Sequence, residues 1–314
     1  MEHPSAIHNW GVFGADDEIG TLNYLTTDAV RRGLAAATRG QVHQLSLPLN
    51  LPTDRRHGRP ELSKVAFRRN ESLMGFVAND DYVVLALQGS SQWDSLIHCG
   101  VEEPGVDGVF YNGVGTDAVD EAGYAHRNGI DKVAARGIAG RGVLLDIARF
   151  VTGSPSEALP NDFLITEEIV LDCRGAQGLT AEHGDIVCLR TGWSEQYLHG
   201  DADARRRLFE AAPGKRAFSS PGIVPELADL VQRERWAALV ADNPAVEATP
   251  MQLGAASAHV TIQRNLGVHF GELFYFGGLA PAAAEAQQWD FLFTSAPLWI
   301  PGGMGSPACA LAIL

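Results

Sequence analysis

Short apolar runs rich in β-branched residues recur along the chain at Tyr82–Leu87, Gly142–Ala148, Asp185–Arg190, Trp236–Val240, Phe291–Ile300 and Ala308–Leu314. A strand with one wetted face alternates apolar and polar residues. These runs do not alternate, so several read as strands buried on both faces. Helical spacing fills some of the gaps between them. One helix, capped by Thr27 or Asp28, runs through Val30, Leu34 and Ala37 to Gly40. A second opens at Pro225 and carries Leu227, Leu230 and Val231; a third extends from about Ala255 to Asn265 and stops at Gly267. Strands mixed with fewer helices, broken often by 34 Gly and 16 Pro, predict a sheet-rich α/β or α+β fold without the regular beat of a barrel. The Gly-rich stretch from Glu102 to Arg141 reads as a long loop of the kind that walls a site. No internal repeat, low-complexity segment or linker divides the chain, so 1–314 is expected to be one domain.

Composition narrows the partners. An apolar content of 46% is enough for a large core and excludes a disordered chain. The formal net charge of −14 repels nucleic acid and anionic membrane alike. Cys99, Cys173, Cys188 and Cys309 form no C-x-x-C pair, which fits a reducing, cytoplasmic setting. The opening MEHPSAIHNWGVFG has no leader-like character, and about 18 uncharged apolar residues never run together. What remains is an acidic, soluble chain acting on small molecules.

The candidate chemistry follows the first apolar run. Gln88, Gln92, Asp94 and His98 sit at i, i+4, i+6 and i+10, all on even positions, and converge on one side if the segment stays extended or turns once. A hydrolytic site needs an oxygen-ligated cation or another means of polarising water, and a base that titrates near neutrality. By residue chemistry alone such a polar cluster after a strand is more often a satisfied turn than a site.

The segment QGSSQWDSLIH resembles the signature of the cyclase family, a group that includes kynurenine formamidase, isatin hydrolase and trans-dienelactone hydrolase. Further stretches are similar to its longer members: NWGVFGADDEIGTLNYLT from Asn9, VFYNG from Val109, RGVLLDIAR from Arg141, GDIVCLRTGW from Gly184, LVADNPAVE from Leu239, NLGVHFGE from Asn265 and GGMGSPACALAIL at the end. The resemblance implies an α/β fold of the swivelling β/β/α type, a single sheet-rich domain with a mixed β core and flanking helices. It also implies a metal-dependent hydrolase of a lactone or a cyclic or formyl amide. Gln88, Gln92, Asp94, His259 and Glu272 fall on ligand positions, and His98 on that of the proton-shuttling histidine. Two glutamines stand where the usual members carry histidines, a form similar to trans-dienelactone hydrolase, which points to a dienelactone-like substrate from aromatic degradation. Zinc is the first expected cation and manganese the second.

Other residues keep two readings. His269 competes with His259 as a ligand, although three positions before Glu272 in a strand it faces the other way. Trp93 and Tyr111, with Phe110, form either an aromatic wall or core, and Asn112 lies beside them in VFYNG as a candidate substrate contact. Asp242 and Asn243 end a strand and either orient a site or cap a turn. Arg190, Arg264 and the run Arg205–Arg207 are candidates for holding a substrate carboxylate. A homo-oligomer, dimer or tetramer, is expected because the resemblance to the longer family members implies one and because the apolar tail ACALAIL must be buried somewhere. The alternative to a hydrolase is a non-hydrolytic polyketide-type cyclase, or a binding protein that has lost its metal.

Overall fold

The computed structural model describes residues 7–53, 59–69, 78–102, 108–211, 218–251 and 257–314. Its strands are β1 (Val42–Gln44), β2 (Ser63–Arg69), β3 (Ala78–Val84), β4 (Gln92–Asp94), β5 (Ile138–Leu145), β6 (Leu164–Ile165), β7 (Ile186–Leu189), β8 (Gly222–Ile223), β9 (Ala238–Ala241), β10 (His269–Glu272), β11 (Asp290–Ser295), β12 (Gly305–Pro307) and β13 (Ala310–Ile313). The helices are α1 (Thr27–Ala36), α2 (Ile130–Arg136), α3 (Ile147–Thr152), α4 (Glu167–Ala176), α5 (Trp193–His199), α6 (Ala202–Leu208), α7 (Ala228–Glu234) and α8 (Leu279–Ala286).

Nine strands form one mixed sheet in the order β1-β13-β11-β5-β7-β9-β10-β4-β12. Its centre, β5-β7-β9-β10, is parallel, and the flanking pairings are antiparallel. The apolar runs explain that centre. Leu144, Ile186, Cys188, Ala238 and Val240 enter one core with Phe274, Phe291 and Phe293. Their neighbours Val143, Leu145, Val187, Leu189, Leu239 and Ala241 enter a second core on the opposite face. Each strand is thus sandwiched, and full burial of each such aliphatic side chain is worth about 1.5–3 kcal/mol. Helix α1 packs over β5 and β11. Its cap is Thr26, one residue before the expected pair, whose hydroxyl accepts from the Ala29 amide, while Asp28 complements the dipole of the first turn.

Three expectations are corrected. Tyr82–Leu87 is not a core strand: its first residues end β3, which among the described residues pairs only with β2, and Tyr82, Val83 and Val84 are exposed. The short strand β4 enters the main sheet instead, with Trp93 in the core. The stretch 102–141 is not one loop, since among its described residues it holds α2 and the start of β5. The apolar tail needs no partner chain, because β13 is buried between β1 and β11 of its own sheet. The third expected helix is observed from Ala258 onward, residues 255–256 lying outside the described set, and His259–Arg264 forms a π-helix. All four cysteines are free, and no helix among the described residues is long and apolar enough to cross a membrane.

Candidate metal centre

Pairing of β4 with β10 builds the floor of the site. Gln92 lies opposite Glu272 across this antiparallel ladder, which brings their side chains together, and the Gln92 amide donates to Glu272 Oε2 at 2.6 Å. Two residues along the same face stands Asp94, while Trp93 between them points into the core, where its indole donates to Ser295 Oγ at 2.9 Å. Trp93 is therefore a pillar behind the site and not a wall of it. On the other side of β4, β12 places Gly305 opposite Asp94. A Cβ there would fall 2.6 Å from Gln88 Cγ, so the absence of a side chain lets Gln88 lie against the strand and donate to Asp94 Oδ1 at 2.5 Å.

The π-helix supplies His259. The wider turn of a π-helix is rare and tends to mark functional positions. His259 Nε2 lies 3.4 Å from Glu272 Oε1 and 3.9 Å from Asp94 Oδ2, and its ring packs edge-on against Phe270 at 5.1 Å. The imidazole is aimed by Glu247, to which nothing in the sequence reading gave a role. One Glu247 oxygen contacts His259 Nδ1 and accepts from the His259 amide at 3.3 Å, and the other accepts from the Ala258 amide at 2.8 Å. This contact fixes the proton on Nδ1 and leaves the Nε2 lone pair facing the carboxylates whenever the ring is neutral. Local backbone conformation positions Glu247. The Glu247 amide bonds back to the Ala245 carbonyl across Val246, which is held at φ +56° in a γ-turn, a strained conformation for a β-branched residue and one that costs on the order of 1–3 kcal/mol. Leu273, immediately after Glu272, is also at positive φ, +54°. Strain therefore flanks two of the carboxylates.

Asp94, His259 and Glu272 each bring one ligand atom, all within 4.8 Å of one another and all buried. Two buried oxygens on residues of this site, Asp94 Oδ2 and Gln92 Oε1, have no hydrogen-bond partner among the described residues. Buried carboxylate and amide oxygens left bare are costly, and a divalent cation would satisfy both. The residues present thus fit a cation held by Asp94, His259 and Glu272, with the Gln92 oxygen beside them. Gln88 enters as a donor to Asp94, outside that cluster. Without a cation, burial and the adjacent Asp94 push Glu272 up to about 7. Burial works against protonation of His259, but the Glu247 and Glu272 carboxylates outweigh it and hold its pKa well above the ordinary histidine value.

His98 stands at the open side, half-buried, with Nε2 3.9 Å from Asp94 Oδ1. Burial lowers its pKa below the usual value, and the charges of His259 and Arg59 add to this against the opposing pull of Asp94. It is neutral at pH 7 and can accept a proton. Its neighbour Cys99 is no competing nucleophile: burial, with the nearby carboxylates, pushes its thiol up to about 11.

The remaining sequence candidates lie elsewhere in the fold. His269 is wedged between the backbone carbonyls of Asp94 and Ile19, at 3.0 and 3.2 Å. The Tyr111 hydroxyl donates to Asp17 Oδ2 at 2.9 Å, and Asn112 ties down the N-terminal loop through the Gly11 amide and the Gly14, Ala15 and Asp17 carbonyls. Asp242 accepts from the Thr191 amide, the Thr191 hydroxyl and the Gly192 amide at 2.7–2.8 Å, while the Asn243 amide donates to the Pro221 carbonyl at 2.6 Å. Both residues fasten the loops that follow the sheet.

Among the anion candidates, Arg190, Arg264, Arg205 and Arg206 are engaged too. Arg190 is buried between Asp146 and Glu195. Arg264 donates to the Val109 and Gly108 carbonyls and stacks 4.8 Å over Trp10. In the Arg205–Arg207 run on α6, Arg205 holds the Tyr197 and Leu198 carbonyls and Arg206 pairs with Asp203 and Glu210. Among the described residues, a further basic residue whose charge acts on His98 and Glu272 is Arg59, which sequence reasoning missed because nothing in the polar stretch 54–60 sets it apart.

A family model described as "Putative cyclase" matches residues 43–248, more than half of the 314 residues. A solved structure described as a novel cyclase is 29% identical, with 98% of each chain covered and a TM-score of 0.85. Isatin hydrolase A from Labrenzia aggregata, solved with benzyl benzoate, is 17% identical over 90% of this chain and 98% of its own, with a TM-score of 0.59. An isatin hydrolase solved with the product analogue thioisatinate is 18% identical over 92% and 99%, with a TM-score of 0.58. No curated protein matches the chain. The chain belongs to the cyclase family and is an enzyme with that family's α/β fold.

Proposed function

We propose that this enzyme is a divalent-metal-dependent hydrolase that opens a small lactone ring. The observation that carries the reading is the convergence of Asp94, His259 and Glu272 around bare buried oxygens, with a neutral imidazole at the open side. A cation held by those residues supplies Lewis acidity towards water and the acyl oxygen. His98 accepts the proton of the attacking water as its oxygen bonds to the acyl carbon. It then returns that proton to the ring oxygen as the acyl C–O bond breaks, so the product carries a hydroxyl and a carboxylic acid, which releases its own proton to water to become a carboxylate. Gln88 holds the orientation of Asp94, Gln92 that of Glu272, and Glu247 that of His259. The mixed oxygen and imidazole donor set suits zinc and also manganese. Cyclic and formyl amides form the second substrate group, since isatin hydrolases share the fold.

Metal analysis of the purified protein, with ring opening followed by absorbance on a panel of lactones, isatin and formanilides, tests this reading. One divalent ion per chain is expected, with turnover lost on exhaustive chelation and regained on re-addition. His98→Ala should lower turnover roughly 10²–10⁴-fold while keeping the ion. Full activity in a metal-free sample sinks the proposal, and an ion-free protein without turnover favours a binding role.

A further inference from the structure

The half-buried mouth of the site carries a positive charge that neither the ligand cluster nor His98 uses. Arg59 Nη1 donates to the Gln88 carbonyl at 2.7 Å, and the amide of that same Gln88 donates to Asp94 Oδ1 at 2.5 Å. One residue therefore separates the guanidinium from the cluster. The charge of Arg59 acts on His98 and on Glu272, so the guanidinium lies within electrostatic reach of the proton-transfer group and of the cluster. Arg59, Gln88, His98 and Cys99 are all partly open, around the buried Gln92, Asp94, His259 and Glu272. Anchoring on a backbone carbonyl occupies one donor position of a five-donor fork. The rest of the planar fork matches a carboxylate in a bidentate pair.

We propose that Arg59 is the residue that selects an anionic substrate: it pairs a carboxylate carried by the compound whose ring is opened over Asp94, His259 and Glu272. The proposal rests on the hydrolase reading and narrows it to ring compounds bearing a free carboxylate. The setting makes the pairing worthwhile. In a chain of net charge −14, an anion approaching the site meets a repulsive field, and a fixed guanidinium at the mouth reverses it locally. A partly desolvated guanidinium–carboxylate pair is also stronger than one in open water.

The test compares the metal-loaded wild type with Arg59→Gln and Arg59→Lys. The substrates are a lactone bearing a free carboxylate and the same lactone with that group converted to a carboxamide. In Arg59→Gln the ratio of kcat/KM for the charged over the neutral lactone should fall about 10- to 100-fold, mainly through KM, with Arg59→Lys in between. Benzoate and benzamide binding, measured by calorimetry on the same metal-loaded proteins, supplies a readout that needs no turnover. Benzoate affinity should fall about tenfold or more in Arg59→Gln, and benzamide affinity should not follow it. An equal loss for both lactones would show that Arg59 only props Gln88 and would overturn the proposal. Unchanged benzoate binding would overturn it as well, because a carboxylate that simply ligated the cation would bind both proteins alike. If the wild type opens no ring while benzoate binding still depends on Arg59, the hydrolase reading falls and the anion site stands.

Discussion

Two clusters of buried carboxylates lie in this fold, and they differ in how their charge is met. In the first, Asp146, Glu195 and Asp242 surround the loops after β5, β7 and β9. Arg190 donates to Asp146 and Glu195 at 2.7 Å each, and Asp242 takes three donors from Thr191 and Gly192. In the second, Asp94, Glu272 and Glu247 share a single histidine, and Asp94 Oδ2 and Gln92 Oε1 are left bare. Burial raises the pKa of a carboxyl in both, Asp242 and Glu272 alike, to about 7. Burial and a raised pKa do not separate a structural cluster from a functional one. The separating feature is that the second cluster has one histidine for three carboxylates and leaves Asp94 Oδ2 and Gln92 Oε1 unbonded, a deficit that a ligand brought from outside would complete.

Perturbing the two clusters should therefore give opposite outcomes. The largest effect is expected from Asp94→Asn, which should abolish cation binding and turnover while leaving the cation-free protein at least as stable as the parent, because repulsion with Glu272 is removed. Metal analysis and denaturant unfolding of the same sample check both halves. In the first cluster Arg190→Met leaves Asp146 and Glu195 buried without their cation. It should cost roughly 3–5 kcal/mol of stability without weakening cation binding in what folds, read by denaturant midpoint and chelator competition. Removing the positioning carboxylate, Glu247→Gln, should weaken cation affinity about 10- to 100-fold by releasing the His259 ring, again by chelator competition.

The smallest effect is the pH dependence of cation uptake. The cation needs ionised Glu272, whose pKa lies near 7 in the cation-free protein, so below that pH each ion bound must expel its proton. His259, whose pKa its carboxylate partners raise, must lose a proton as well, so apparent affinity should rise with pH, more steeply below about 7, where both groups give up a proton, than above it, where only His259 does, and calorimetry in buffers of different ionisation enthalpy should register the released protons. The cation-free fold responds in the opposite sense. Its Glu272 holds a proton between the unfolded value of about 4.3 and the folded value of about 7, so stability should decline as pH rises through that window.

Much of the central fold was legible from local pattern. GVLLDIA, DIVCLR and WAALV show no alternation, and β5, β7 and β9 are buried on both faces as that implies. The same rule misplaced YVVLAL, because periodicity reports side chains and not which strand a segment pairs with. β3 is a peripheral hairpin strand with exposed apolar residues, while three residues, Gln92–Asp94, hold the core position. At the site, the even spacing of Gln88, Gln92 and Asp94 anticipated a shared side, and β4 delivers it for Gln92 and Asp94. Trp93, Tyr111, Asn112, Asp242 and Asn243 sit near the right motifs, yet their side chains are taken up by core or backbone contacts.

What the sequence by itself determined were properties carried by neighbours in the chain: the sandwiched strands, the cap region of α1, and a polar segment ending in His98. Which groups meet across the chain was decided by tertiary structure. Glu272 reaches Gln92 through the register of β10 on β4, His259 reaches Glu247 through a γ-turn facing a π-helix, and Arg59 reaches the mouth through the carbonyl of Gln88. No spacing rule links such positions. The charge of −14 only says that positive groups are scarce, and folding decides that one of them, Arg59, is anchored on the residue that holds Asp94.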